Sequence, residues 1–254
     1  MPNMPNEIAV AGDEQSQVIH QTMVSTKKLG VLQLNTQFYR PPGDCGNPKS
    51  YSYPVVISIV KAATRESVVL GGREGQIALV DAFVKEGTRL MKEENVTCLI
   101  TSCGFMAATH RELAEKMPST SALLQVRWLR ELFGGSPDTV GVITFSSENL
   151  TDDHFKGVAL DVAPPVKGMP VGGAFHNWMT CTTEFDFAAC EAEVVQAAKE
   201  IQKENPRIRA ICFECTNMPP FTAAVKGATG LPVYSVLTLA DWLYSASNAG
   251  RSLS

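Results

Sequence analysis

The chain has 254 residues, enough to bury a sizeable core as one large domain or two smaller lobes. Its formal net charge of −4 and the lack of any long basic run argue against nucleic acid or an anionic membrane, and for a small-molecule ligand. The longest apolar runs, such as Val140 to Phe145, are too short to span a bilayer, and Met1 to Lys28 lacks a basic start followed by an apolar core, so a cytoplasmic location is expected. With no such leader, the odd number of cysteines, seven, points to reduced thiols rather than a disulfide framework.

Residues 1–28 mix Pro, Asn, Asp, Glu, Gln and Ser with little periodicity and read as a flexible arm. A strand is predicted over Leu29–Leu34, then a loop rich in Pro and Gly, then a helix from about Gln76 to Glu93. In that helix Ile77, Leu79, Val80, Phe83, Val84 and Leu90 keep amphipathic spacing. A strand over Val96–Thr101, a helix from about Ala107 to Lys116 and a strand or loop at Pro118 follow. The second half has the same grammar: strand 140–145, helix 149–156, short strand near Val158, helix 187–203, strand 208–213, helix 219–227, strand 232–236 and a closing helix 238–247. Strands alternating with helices predict an α/β fold of parallel sheets flanked by helices.

The two halves also match in detail. From Gly30 to Cys103 is 73 positions and from Gly141 to Cys215 is 74, and each cysteine is followed by a Pro and an apolar segment, Pro118 to Val126 and Pro232 to Trp242. Matched spacing implies two copies of one unit. The predicted organisation is a first lobe over 29–130, completed by the segment 237–254, and a second lobe over 131–236, with one thiol on each side of a cleft. Ligands of parallel sheets gather beyond the carboxyl ends of the strands. Cys103 and Cys215 fall there, with Asn35, Thr36, Ser146 and Ser147, whereas Cys98 and Cys212 lie inside strands and read as core. Although Cys212 and Cys215 form a C-x-x-C, the apolar run Ile208 to Phe213 favours core over a metal or redox pair for Cys212, and the cysteine pattern does not resemble a zinc site.

Thr101-Ser102-Cys103-Gly104-Phe105 and Glu214-Cys215-Thr216-Asn217-Met218-Pro219-Pro220 resemble the cysteine motifs of the aspartate/glutamate racemase superfamily. Pro42-Gly43-Asp44-Cys45-Gly46-Asn47-Pro48 is similar to the G-D-x-G-N-P loop of one of its branches. The resemblance covers about residues 29–247. It implies two pseudo-symmetric lobes, a site in the cleft between them, no cofactor, no metal, and a homo-oligomer, dimer or tetramer. Glutamate racemases carry Asp-Ser-Gly after the first strand, Asn after the first cysteine and Thr-His after the second; here those places hold Asn35-Thr36, Gly104 and Thr216-Asn217. Cys103-Gly104-Phe105-Met106 and Glu214-Cys215-Thr216 are similar to motifs of algal dimethylsulfoniopropionate lyases too.

The chemistry follows from two opposed thiols. A thiolate takes a proton from the carbon beside a carboxylate, and a thiol on the other face returns one. Both cysteines are expected just before helices, where the macrodipole favours the thiolate. The catalytic pair is therefore Cys103 and Cys215. The expected substrate-binding set is Asn35, Asp44, Asn47, Ser50, Ser102, Gly104, Thr144, Ser146, Thr216 and Asn217, donors of the kind that stabilise a carbanion-like intermediate. Asp44 either binds a substrate ammonium or ties down its own turn, and Arg40 or Lys49 could hold a second carboxylate. Among the histidines, His20 falls in the arm, His154 reads as a surface helix residue, His110 as an outer residue, and Gly172 to Trp178 as a loop over the cleft or an ordinary surface loop. The leading expectation is a racemase of a small carboxylic or amino acid. The alternatives are a lyase that begins with the same proton abstraction and a non-catalytic acid-binding protein.

Overall fold

A computed structural model describes residues 27–248. The predicted arm lies outside these residues except for its last two, of which Lys28 already opens the first strand. The elements are β1 Lys28–Leu34, β2 Val55–Val60, α1 Gly72–Ile77, α2 Val80–Glu93, β3 Val96–Thr101, α3 His110–Ala114, β4 Ser119–Thr120 and α4 Leu124–Leu132. They are followed by β5 Val140–Thr144, α5 Asp152–Gly157, β6 Val166–Gly168, α6 Ala174–Met179, α7 Phe187–Glu204, β7 Ala210–Phe213, α8 Thr222–Thr229, β8 Val233–Tyr234 and α9 Val236–Ser247.

Two four-stranded parallel sheets result, in the orders β2-β1-β3-β4 and β6-β5-β7-β8, so the second half repeats the topology of the first. The central strands β5 and β7 are buried throughout, β1 and β3 nearly so, which is why they read as continuous apolar runs rather than alternating ones. Gly30 and Gly141 occupy equivalent places on β1 and β5. A Cβ at Gly30 would collide with Leu99 and Val96 beneath α2, and one at Gly141 with Ile208.

Two helices are exchanged between the halves. Val126 and Leu129 of α4, a first-half helix, pack with Val140, Val142 and Cys212 of the second sheet. Val236 and Ala240 of α9, at the chain's far end, pack with Leu29, Val31, Cys98 and Ile100 of the first. The two helices meet at Gln125, whose Nε2 donates to Ser235 O at 2.8 Å and whose Oε1 accepts from Thr238 Oγ1 at 3.0 Å. Ser235 and Thr238 also form the capping box that starts α9.

Several predicted elements change. The loop read from 35 to 75 contains the strand β2, an edge strand half-covered and hidden among Pro, Gly and Asn on either side. The helix predicted over Gln76–Glu93 is two helices, α1 and α2, broken at Ala78–Leu79. Val158 is in the turn that ends α5, followed by Ala159 at φ +59°, and the strand beside β5 begins only after Pro164 and Pro165, at Val166. Gly172 to Trp178 is a turn running into α6 rather than a loop. His154, expected on a surface, is 1% exposed, its ring edge-on to Phe105 and its Nε2 3.3 Å from Gln76 Nε2. No described helix is long and apolar enough to cross a membrane.

Candidate active site

The carboxyl ends of β1, β3, β5 and β7 open on a partly enclosed cavity, and both Cys103 and Cys215 line it. Cys103 follows β3 and opens the 3-10 turn Gly104–Thr109; Cys215 follows β7 two residues after its last position. The equivalence extends to the sulfur atoms, since the backbone N–H of Phe105 favours the Cys103 thiolate and that of Asn217 favours the Cys215 thiolate. Burial opposes this and prevails: both thiols are pushed well above their ordinary range, with Glu214 as the next cause. The expected help from helix dipoles is outweighed because Cys103 precedes only a 3-10 turn and α8 begins seven residues after Cys215, beyond the reach of a helix end.

A chain of buried polar groups holds the Cys215 turn. Cys215 Sγ donates to Asn217 Oδ1 at 3.6 Å, and Asn217 Nδ2 donates to Asp44 Oδ2 at 2.6 Å. Asp44 Oδ1 accepts from Arg40 Nη1 at 2.8 Å and from Gly46 N at 2.7 Å. The fully buried Asp44 is thus occupied by its own loop, by Arg40 and by Asn217. Arg40 lines the cavity, its guanidinium 4.3 Å above the Phe38 ring and its Nη2 donating to Thr36 Oγ1 at 2.9 Å. Thr216 Oγ1 donates to Ser102 O at 2.5 Å, joining the two cysteine-bearing turns across the cleft.

Of the expected binding residues, Ser102, Gly104, Thr216 and Asn217 line the cavity beside the thiols. The others stand back from its wall, each for a local reason. Asn47 caps the 3-10 turn Pro48–Ser50 and donates to Arg40 O, while Ser50 Oγ bridges Gly43 N and Asp44 O, so both serve the loop itself. Asn35 is exposed and donates to Lys61 O, beside a neighbouring depression. Ser146 Oγ accepts from Asn149 Nδ2 and faces a second depression behind Phe145. Thr144 is buried and donates to Glu214 Oε2 at 2.6 Å.

Glu214 is the site residue that pattern reading passed over. It ends the apolar run Ala210–Phe213, is fully buried, lines the cavity, and has its carboxyl pushed up to about 7 by burial against the opposing hydrogen bonds of Thr144 and the Phe145 backbone. An ionisable residue directly after a buried strand and directly before a candidate cysteine was the available signal. The rest of the wall is apolar and aromatic: Phe38, Phe105, Phe145, Met179, Leu34 and Val69, with Arg65 at the edge. No group of three or more His, Cys, Asp or Glu able to hold a metal occurs among the described residues, and Cys212 is buried in the core with its Sγ toward Ala122 O.

No family model matches the chain. It is 30% identical over 225 residues to a dimethylsulfoniopropionate lyase of Durusdinium sp. clade D, covering 84% of this chain and 73% of that protein. It is 25% identical to dimethylsulfoniopropionate lyase 5 of Emiliania huxleyi (strain CCMP1516), across 88% of this chain and 46% of that longer protein. Among solved structures, a mutant of arylmalonate decarboxylase in a sulfate-associated form superposes with a TM-score of 0.59 at 15% identity, over 89% of this chain and 94% of that one. The aspartate racemase of Picrophilus torridus superposes with a TM-score of 0.51 at 10% identity, over 87% of this chain and 94% of that one. The repeated sheet topology, the paired cysteine turns and the lyase relatives together place the chain in the dimethylsulfoniopropionate lyase family, with a fold shared by arylmalonate decarboxylase and aspartate racemase.

Proposed function

We propose that this chain is a lyase that removes the α-proton of a small carboxylate carrying a β-sulfonium group, with dimethylsulfoniopropionate as substrate. One cysteine thiolate takes the α-hydrogen as a proton and becomes S–H. The C–H electron pair forms the Cα=Cβ bond, the Cβ–S bond breaks, and its pair stays on sulfur. The products are acrylate and dimethyl sulfide.

The observation that carries the reading is the composition of the cavity wall around the two thiols. A methylated sulfonium has no N–H to satisfy and is held by aromatic faces, which Phe38, Phe105 and Phe145 supply. A primary ammonium would need acceptors once desolvated, and the one carboxylate on the wall is Glu214. Arg40 and Arg65 are the cations on the wall, placed to attract the substrate carboxylate. This puts elimination ahead of racemisation, the reverse of the order drawn from the motifs alone. Racemisation keeps the support of the two opposed thiols.

The test is incubation in deuterated buffer with dimethylsulfoniopropionate and, separately, with aspartate and glutamate of either hand, followed by NMR. Acrylate and dimethyl sulfide are expected from the native protein, with a loss of about 10²–10⁴-fold in Cys103→Ala or Cys215→Ala, the scale of a positioned acid–base group. Loss of an amino-acid α-signal with inversion would instead make it a racemase, and inertness toward all of them a binding protein.

A further inference from the structure

Elimination and racemisation differ in their proton accounts. A racemase returns to the substrate one proton for each it removes, so two thiols suffice. An elimination leaves one proton on the base cysteine at every turnover, and that proton must depart before the next cycle. Cys215 is buried and Cys103 half-buried, and both hold a proton more tightly than a free thiol, so this departure is slow without a nearby acceptor.

We infer that Glu214 is that acceptor, taking the proton from the base thiol and passing it to solvent; the inference rests on the elimination reading. Its carboxylate has one oxygen fixed and one free. Oε2 accepts from Thr144 Oγ1, whereas Oε1 is buried without a hydrogen-bond partner. Oε1 lies against Gly104, where a Cβ would collide with it, so it stands beside the turn of Cys103 while its own backbone leads into Cys215. The remaining ionisable groups around it are Cys212 on β7 and, across the thiols, Arg40 and Asp44. Asp44 is held by Arg40, Gly46 and Asn217, so of the two carboxylates near the thiols Glu214 alone is free to accept. A carboxyl near 7 still holds a proton less tightly than either raised thiol, so the transfer runs uphill and is completed only by release of the proton to solvent.

The experiment compares the native chain with Glu214→Gln and Thr144→Val by two readouts. The first is alkylation of Cys103 and Cys215 by iodoacetamide across pH 5–10 without substrate, mapped by mass spectrometry. If Glu214 takes the thiol proton, the native rate shows a plateau that begins near pH 7, ahead of the steep rise as the thiols ionise directly. In Glu214→Gln it climbs about tenfold per pH unit with no plateau, as for an unassisted thiol. Thr144→Val keeps the carboxylate but removes a hydrogen bond that favours its charge, so the plateau moves to higher pH. The second readout is turnover of dimethylsulfoniopropionate: kcat falls about a hundredfold or more in Glu214→Gln while KM changes little. Native-like turnover by Glu214→Gln, or alkylation profiles that coincide in all three proteins, overturns the relay and leaves the lyase standing. A native protein that does not cleave dimethylsulfoniopropionate overturns both.

Discussion

Glu214 carries a stability consequence apart from any reaction. Its carboxyl rises from an ordinary 4.5 to about 7 on folding, so between these values the folded chain holds a proton that the unfolded chain has released. Stability therefore falls as pH rises from about 4.5 to 7 and is flat above that range, a loss of about 3 kcal/mol at 1.4 kcal/mol per unit. Glu214→Gln lacks this slope, so urea melts at pH 5 and pH 8 are expected to separate the two proteins at the higher pH, with the variant more stable. Gly104→Ala is predicted to act on the same atom: its Cβ would strike Oε1 and the backbone carbonyl of Glu214, displacing the carboxylate. Activity is expected to fall while both cysteines still react with iodoacetamide. At this scale the sequence was informative for Cys103 and Cys215, whose Gly- and Asn-containing turns after strands marked them out. It could not separate Asn47 and Ser50, expected among the substrate-binding residues, from residues of the loop, because a polar side chain that serves its own loop looks the same in a sequence as one that faces a ligand.

Among the elements, α2 and α7 were legible because their apolar faces repeat over several turns. The edge strand β2 and the helix α4 were not. In α4 the buried Gln125 and Arg130 interrupt the apolar pattern, and the reason for Gln125 lies 110 residues away at Ser235. Gln125→Leu is expected to cost about 0.5–1.5 kcal/mol, since it removes two hydrogen bonds while the Ser235 carbonyl keeps those from Leu239 N and Thr238 Oγ1. Chemical denaturation would measure it, and a loss within error would show that the tie between α4 and α9 is made by apolar packing alone. The short β4 and β8, two residues each, were also beyond exact placement, because their pairing is set by the neighbouring β3 and β7 rather than by local propensity.

For the whole molecule, the near-equal intervals between the glycine of the first strand and the cysteine of each half anticipated a repeated topology, and both sheets have it. What spacing could not disclose is that α4 and α9 each cover the other half's sheet, since a helix's partner is decided by chain path and not by periodicity. The path turns at Gly134 and Gly135, with φ of +98° and +80°, backbone that suits glycine and few other residues. Val substituted at both is expected to destabilise the chain by about 1–2 kcal/mol per position, measurable as a lowered Tm. A cut between these glycines offers a stronger trial. Either fragment alone would carry one helix with no sheet to cover and one sheet with a face left bare, so each is expected to aggregate when expressed singly and to reassemble when the two are coexpressed. A gene encoding just one half would face the same shortage, and two identical products could remedy it only by trading their last helices. The architecture is thus that of a domain-swapped homodimer whose subunits have been fused into one polypeptide, which leaves the two cysteine-bearing turns free to diverge from one another.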